Sequence, residues 1–267
     1  MMSSTSSDLA QEGKGKKDVF ADFDPEVRVR TKKMLMYFII FAILMLFAGF
    51  TSAYIVSNMG EFWVHIEAPT SLWTSNLIIA LSSLTIWLSL RAMKQGKVKM
   101  SQLMLAATLV LGIGFTLTQK AAWDTLAEKG MGWTVNENEQ GLKAYKWNNV
   151  NQIKGEYGVD YYVHKDGKRM ILDGGEFYSE DDVFKANPLT TEVQRITNNS
   201  GAYVWALIII HILHLVFGLA YLVVNLIRSY TGVIHPKDTV RLQTNGLYWH
   251  FLGILWIYLF VFLFVIH

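Results

Sequence analysis

Five long apolar stretches limit what this chain can fold into. A helix that crosses a bilayer needs about 20 mostly apolar residues, and each stretch reaches that length without a single Asp or Glu. In lipid every backbone polar group must be bonded within its own segment, which favours helices. The sequence therefore predicts an all-α membrane protein with five transmembrane helices. The predicted spans are residues 34–57, 74–93, 100–123, 201–227 and 246–266.

The composition agrees with this class and excludes several others. The chain is 52% hydrophobic and 17% charged, against roughly 25% charged residues in an average soluble protein. Its net charge of +2 is too small to indicate a nucleic-acid partner. The chain has no Cys, which excludes disulfides, thiolate metal sites and thiol catalysis.

Basic residues beside the spans predict the orientation. Fourteen Lys and Arg residues fall on one side: seven before the first span, four at the end of the second span and in the loop to the third, and three between the fourth and fifth. The loop at 58–73 on the other side has none. The positive-inside rule therefore places the N-terminus in the cytoplasm and the C-terminus outside. Trp63, Trp73 and Trp123 are then expected at the outer interface, as an aromatic belt.

The polar segments divide the chain into four parts. Residues 1–33 begin rich in Ser, Gly and Lys and are predicted to form a disordered cytoplasmic tail without a secretory signal peptide. Residues 34–123 carry the first three spans, and residues 200–267 carry the last two. Residues 124–199 are too many for a structureless loop, so we expect a small extracytoplasmic α+β insertion.

Local patterns predict the secondary structure of this insertion. Asp166-Gly167 separates two strand-like runs, 161–165 and 168–172, as in a hairpin with a type I′ turn.

Two short helices are predicted after the hairpin. The run Ser179-Glu180-Asp181-Asp182 has the pattern of a capping box and predicts a helix that ends near Pro188. Thr190 or Thr191 is expected to cap a second helix, which leads into the fourth span.

The insertion also carries a cluster of acidic residues, formed by Glu176, Glu180, Asp181 and Asp182. One interpretation is a docking patch for a basic partner, such as cytochrome c or a cytochrome-bearing respiratory complex. The other is a solvated surface, since exposed charges contribute little by themselves. A lobe of this size is also suited to bracing a neighbouring subunit.

Three His residues lie in the last two spans and raise the hypothesis of a haem or metal site. His211 and His214 share one helical face. At 1.5 Å per residue, His214 lies about 20 Å from the cytoplasmic end of its span and His250 about 6 Å, so the two are not level. No carboxylate lies in any span to complete a metal site. We therefore expect these His residues, and Gln119, to be buried hydrogen-bonding residues that fix helix packing.

The spans lack the features of a conduction path. Pumps and coupled transporters usually carry membrane carboxylates, and many have broken helices. Here all four Pro residues lie outside the predicted spans. Glycines instead provide sites for close helix contact. These are Gly49, Gly112, Gly114, Gly218 and Gly253.

Four motifs occur in order along the spans. They are Asn76 with Ser82, Ser83, Trp87 and Met93; Gly114-Phe115-Thr116-Leu117-Thr118-Gln119; His211-Ile212-Leu213-His214 leading to Gly218; and Tyr248-Trp249-His250-Phe251 followed by Trp256. Together they resemble subunit III of haem–copper oxidases of the cytochrome c oxidase type, in the five-helix form seen in bacterial members.

The chain also departs from that family. Longer members have two more N-terminal helices that help to form a lipid-filled cleft, so here the cleft would be incomplete unless another subunit supplies them. Carboxylate and His positions of the family are occupied by other residues, and roles tied to those groups do not carry over. The replacing residues are Phe41-Ala42, Ser89, Leu90, Ala122 and Gly253.

The resemblance implies a structural, non-redox subunit that carries no catalytic centre, haem, copper or metal ligand. Haem and copper would lie in partner subunits; the chain would contact subunits I and II and bind phospholipid. The complex would be a proton-pumping oxidoreductase of the bacterial cytoplasmic membrane that oxidises cytochrome c and reduces oxygen to water. The residues expected to pack subunits and helices are Gln119, His211, His214, Trp249, His250 and Trp256.

Three alternatives stay open at this point. The same subunit occurs in quinol oxidases, which have the five-helix form too. A membrane cytochrome b would use His211, His214 and His250 as ligands, against the predicted difference in depth. A small transporter is disfavoured by the missing membrane charges and Pro residues.

Overall fold

Five long helices form the body of the protein. The computed structural model describes residues 24–59, 62–137, 143–195, 199–234, 236 and 238–266. All five helices are long and apolar enough to cross a membrane, and each contains one predicted span, so the prediction of five helices able to span a membrane is confirmed. They are α1 Pro25–Asn58, α2 Thr70–Lys94, α3 Val98–Glu128, α5 Asn199–Tyr230 and α6 Val240–Val261, which continues as a π-helical turn, Phe262–Ile266. The short helix α4, Thr190–Arg195, precedes α5.

Helix α1 begins within the segment that the sequence predicts to be a disordered tail. Most of the predicted disordered segment, residues 1–23, lies outside the described residues. Residues 25–33 are helical and form the first turns of α1. Basic residues in this part therefore extend a membrane-spanning helix beyond its apolar section.

Helices α2 and α3 pair along a seam with a seven-residue repeat. Their buried positions alternate in steps of three and four, which is the pattern of a left-handed coiled coil. Small hydroxyl residues in the seam bond across it: Ser89 Oγ donates to the Ser101 carbonyl at 2.8 Å, and the Thr85 and Thr108 hydroxyls are 2.8 Å apart. The seam residues are Leu72, Ser75, Ile79, Ser82, Ile86, Ser89 and Met93 in α2, and Ser101, Leu105, Thr108, Gly112, Phe115, Gln119, Ala122 and Leu126 in α3.

A tight turn at Gly96 joins these two helices. Gly96 has a φ of +76°, which costs glycine no steric clash. The Lys97 N–H bonds to the Ala92 carbonyl and the Gly96 N–H bonds to the Met93 carbonyl, both at 3.0 Å. This is a Schellman motif, which satisfies the last carbonyls of α2 and returns the chain directly into α3.

A lobe of short strands lies at one end of the bundle; we define it as β1 together with residues 129–195. Its main sheet has the order β1-β4-β5, with β1 Phe62–Ile66, β4 Tyr161–Lys165 and β5 Lys168–Arg169. The predicted hairpin is confirmed, because Asp166 and Gly167 have φ values of 51° and 76° and β4 pairs antiparallel with β5. Strand β1 was not predicted; it comes from the loop between α1 and α2.

Two further hairpins complete the lobe. Strands β2, Trp133–Glu137, and β3, Lys143–Trp147, pair with each other, as do β6, Ile171–Asp173, and β7, Glu176–Tyr178. The predicted strand at 168–172 is interrupted at Met170. Met170 is buried: its N–H still donates to the Val163 carbonyl of β4 at 2.8 Å, whereas its carbonyl accepts a 2.6 Å bond from the Tyr157 hydroxyl.

The prediction of a capped helix after Ser179 is wrong. Residues 179–188 form turns without a helix. The Asp182 carboxylate accepts the Asn187 N–H at 2.8 Å, so it caps a turn. The second helix is confirmed as α4, but the predicted cap is wrong: Thr190 and Thr191 lie inside the helix, and the Thr190 hydroxyl accepts the Phe177 N–H of β7 at 2.9 Å.

The lobe is anchored to the bundle by indole and phenol groups. Trp63 of β1 donates to the Tyr54 hydroxyl of α1 at 2.9 Å, and Trp205 of α5 donates to the Met131 carbonyl at 2.7 Å. Trp63 is thus buried where β1 meets the bundle, whereas a residue of an aromatic belt faces the membrane interface. Trp73, by contrast, is exposed at the start of α2.

Candidate subunit-packing site

Trp249 of α6 is the centre of the helix packing. Its side chain is fully buried, and its Nε1 donates to the Ser82 hydroxyl of α2 at 3.0 Å. Ser82 in turn donates to the Ile79 carbonyl at 2.8 Å. On α3, a Cβ added at Gly112 would lie 2.8 Å from the Trp249 ring, so only glycine allows this close approach. The predicted packing residue Trp249 thus connects three helices.

Helix α5 joins this centre through another glycine. A Cβ on Gly218 would lie 2.8 Å from Leu252 of α6. The Tyr248 hydroxyl donates to the His214 carbonyl at 3.2 Å. A Cβ on Gly253 of α6 would lie 3.3 Å from Ile79 of α2.

The predicted glycine contacts are confirmed only in part. Gly112, Gly218 and Gly253 make close contacts, whereas a Cβ on Gly49 or Gly114 would meet nothing within 4 Å. Whether a glycine makes a close helix contact depends on which face of its helix it occupies.

His211 and Trp256 form a second contact between α5 and α6. The rings lie 5.2 Å apart between centroids, and the Trp256 ring packs edge-on against Phe115 of α3 at 5.7 Å. The edge of Phe47 from α1 approaches His211 at 6.5 Å. His211 is 2% exposed, so the sequence-predicted pair of buried residues is brought together by the fold.

Gln119 links the seam helices. Its Nε2 donates to Ser75 Oγ at 2.7 Å, as an interhelix bond of the predicted kind. Among the described residues, its Oε1, the His211 Nδ1 and the Trp256 Nε1 have no partner.

His214 and His250 lie closer in depth than the sequence implied. The Tyr248 hydroxyl, two residues before His250, reaches the His214 carbonyl at 3.2 Å, so the two His residues lie at nearby levels of the bundle. His214 Nδ1 lies 2.7 Å from the Ile210 carbonyl of its own helix, and its ring contacts Phe47 at 6.0 Å. Within the described ranges, no group of three His, Asp or Glu residues is arranged to hold a metal ion.

A cleft of about 460 Å³ opens between α1, α5 and α6. Its walls are mainly apolar and include Met36 and Ile39 of α1 and Phe217 of α5. The same two α1 residues and Tyr221 also line an adjoining cavity of about 250 Å³. That second cavity reaches the end of the bundle opposite the lobe, where its lining includes the cations Lys32, Arg228 and Arg241.

The acidic residues of the lobe are engaged locally. Asp181 forms an ion pair with Lys168 at 2.7 Å, and Asp173 pairs with Lys185. Backbone N–H groups of Asn187 and Ala186 lower the pKa of Asp182, and the Asp181 carboxylate raises the pKa of Lys168. Glu176 accepts a 2.8 Å bond from the Tyr178 hydroxyl.

Two more charged groups fix the lobe near its attachment to α3. Lys129 donates to Asp160 Oδ1 at 2.9 Å, and this bond lowers the pKa of Asp160, with help from the Glu156 N–H. In the main sheet, burial lowers the pKa of His164, and His65 and Arg169 lower it further by charge repulsion. His164 is therefore neutral at pH 7.

Comparison with known proteins connects part of this chain to respiratory oxidases. No family model matches the chain. A 56-residue stretch, 21% of the chain, is 34% identical to cytochrome c oxidase subunit 3 of Alkalihalophilus pseudofirmus. A 51-residue stretch, 19% of the chain, is 35% identical to cytochrome c oxidase subunit 3 of Marchantia polymorpha. These matches span 27% and 19% of the two relatives, so the similarity to subunit 3 is partial.

Proposed function

We propose that this chain is the structural, non-redox subunit III of a proton-pumping haem–copper oxidase in a bacterial cytoplasmic membrane. The observation that carries the proposal is the Trp249 centre. Trp249, Ser82 and Gly218 come from three of the motifs that resemble subunit III, and together with Gly112 they bring α2, α3, α5 and α6 into contact. The partial similarity to two cytochrome c oxidase subunit 3 proteins supports the same family.

In this proposal the role of the chain is structural: it packs against other subunits. Haem and copper belong to partner subunits, and this chain supplies a rigid helical surface beside the catalytic subunits I and II. Helix α1 supports such a role because it lies at the edge of the bundle with its apolar side chains outward. The most exposed of these include Phe38, Phe41, Met45 and Val56. Exposed apolar surface on a membrane helix suits contact with another subunit or with lipid acyl chains.

Lipid binding is assigned to the cleft beside α1. Its apolar part is suited to acyl chains, and the adjoining cavity brings Lys32, Arg228 and Arg241 to the end where a phosphate group would lie. Under the predicted orientation that end faces the cytoplasm, where each cation near an anionic leaflet contributes about 1 kcal/mol of attraction.

The lipid assignment is tested by counting lipids. We expect the double variant Arg228→Gln, Arg241→Gln to retain less anionic phospholipid after detergent purification, measured by mass spectrometry of extracted lipids. Arg91→Gln is the matched control, because Arg91 lies at the same end of the bundle but stacks on Trp87 at 5.4 Å, away from the cleft. Equal lipid retention in all three proteins would contradict the assignment.

The function itself is tested by deletion and complementation. Membranes lacking this chain should lose oxygen uptake with their native electron donor, and expression of the chain should restore it. Reduced cytochrome c and a quinol are supplied in parallel, because the acidic lobe favours cytochrome c whereas the five-helix form occurs with both. Unchanged oxygen uptake with both donors after deletion would overturn the proposal.

A further inference from the structure

Two asparagines lie deep in the bundle with unused amide groups. Asn225 of α5 and Asn245 of α6 are both 0% exposed. Among the described residues, neither the amide nitrogen nor the amide oxygen of either side chain has a hydrogen-bond partner. We propose that these asparagines, together with Ser229, form an internal water-binding site in the part of the bundle remote from the lobe.

The register of the two helices places the amides opposite each other. Gly218 contacts Trp249 and Leu252, which fixes the level at which antiparallel α5 and α6 meet. Asn225 lies seven residues after Gly218, and Asn245 lies seven before Leu252. Seven residues are close to two full turns, so both asparagines stay on the facing stripes and reach the same level.

An adjacent hydrogen bond supports this register. The Tyr221 hydroxyl of α5 lies 2.8 Å from the Thr244 hydroxyl of α6. Tyr221 is one turn before Asn225, and Thr244 is next to Asn245. The same pair of helices is therefore in contact directly beside the asparagines.

Ser229 extends the site toward the end of α5. It lies one turn beyond Asn225 on the same stripe, is 3% exposed, and its Oγ has no partner among the described residues. The Ser229 carbonyl accepts a 2.9 Å bond from Gln102 Nε2, so α3 contacts this end of the site. Asn225, Ser229 and Asn245 are therefore three buried polar side chains whose hydrogen-bonding atoms have no partner among the described residues.

Water is the ligand that fits these groups. A buried amide without a partner is costly, and in a membrane bundle the cost is not relieved by bulk solvent. The neighbouring hydroxyls of Tyr221 and Thr244 already bond to each other. An internal water molecule typically makes about three hydrogen bonds. It donates to the amide oxygens and accepts from the amide N–H groups, whereas a metal ion would find no carboxylate here.

A high-resolution map of the protein in its native assembly tests the site directly. At a resolution of about 2 Å or better, ordered water density should lie within hydrogen-bond distance of both Asn225 and Asn245. Side chains that instead bond directly to each other or to protein groups, with no water between α5 and α6, would overturn the proposal.

Substitution by leucine gives an independent test, because leucine keeps the approximate volume and removes the amide. If water is bound, Asn225→Leu and Asn245→Leu each break its hydrogen bonds and lower the Tm of the purified assembly by about 2–4 °C. If the amides are unsatisfied, the same changes raise the Tm. Leu222→Met, a volume-conserving change on the same stripe, should leave the Tm nearly unchanged.

The double variant tests whether the two asparagines share one site. Because either leucine already disrupts the shared water, the Tm loss of Asn225→Leu, Asn245→Leu should be smaller than the sum of the single losses. Additive losses would contradict a shared site.

Discussion

The indole Nε1 of Trp249 donates a hydrogen bond of 3.0 Å to the hydroxyl of Ser82, across 167 residues of sequence. The Trp249 N–H bonds to no other group among the described residues, and lipid would offer it no acceptor. This single bond fixes the rotation of α6 relative to α2, while Gly112 sets how closely α3 approaches. The packing of the bundle therefore depends on a few residues that can be tested one by one.

Removing the acceptor should weaken this contact. Ser82→Ala leaves the buried Trp249 N–H without a partner, and we expect a loss of about 1–3 kcal/mol in stability. Thermal unfolding of the detergent-purified assembly measures the loss. Ser83→Ala is the control, because Ser83 is only half-buried and takes no part in this bond. Equal effects of the two changes would mean that the bond contributes nothing.

Two glycines on α3 should respond differently to the same substitution. Gly112→Ala places a methyl group 2.8 Å from the Trp249 ring and 2.9 Å from Leu219, so α3 or Trp249 must shift. We expect a clear fall in Tm and in the yield of assembled protein. Gly114→Ala meets nothing within 4 Å and should be tolerated. A stable Gly112→Ala variant would show that the helices do not pack as described.

The attachment of the lobe depends on Gly130. This residue has a φ of +90°, and an added Cβ would lie 2.5 Å from the Gln152 carbonyl oxygen. Gly130→Ala should therefore loosen the lobe while the helices remain folded, and limited proteolysis should cut the lobe faster. Gly132→Ala serves as the control, since no atom lies within 4 Å of its added Cβ. Similar proteolysis rates for both variants would exclude this role.

Acid should loosen the same region through Asp160. The Lys129 side chain lowers the pKa of Asp160 in the folded state, so the carboxylate stabilises the lobe above the unfolded pKa of about 3.9. This contribution is lost as the pH falls through the lower, folded pKa. Lys129→Met should raise the pKa of Asp160, which NMR of labelled Asp can follow, and should make the lobe protease-sensitive at a higher pH than in wild type. An unchanged pKa would show that the ion pair does not form in solution.

The sequence was sufficient to predict the five helices because hydrocarbon imposes a length and a composition that few other structures satisfy. It was less informative about helix ends. The polar residues Arg241, Gln243 and Thr244 lie inside α6 but outside its apolar section, so the helix begins before the predicted span. Apolarity marks the part of a helix in lipid, whereas hydrogen bonds and caps determine where it begins.

Contacts between distant segments were the hardest to predict. Strand β1 pairs with β4, almost 100 residues later, and no local pattern indicates such a partner. Gly112 and Gly114 are equivalent in sequence terms, yet only the first faces another helix. The hydroxyl residues of the seam carried a usable signal, because Ser75, Ser82 and Ser89 repeat every seven residues.

The same limits apply to the predicted docking patch. Its acidic residues lie close together in the sequence, but their partners within the lobe could not be predicted from the sequence. Lys168 and the backbone N–H groups near Asp182 use much of that negative charge locally. Docking of a basic partner at Glu176, Glu180, Asp181 and Asp182 stays a prediction.

The most direct test of the proposed function is gentle detergent purification through a tag on this chain, followed by a reduced-minus-oxidised spectrum before and after the chain is separated from its partners. We predict haem and copper signals in the intact preparation that remain with the partner subunits and leave the isolated chain colourless. A Soret band that stays with the isolated chain, or an intact preparation without haem, would contradict the assignment as a non-redox oxidase subunit.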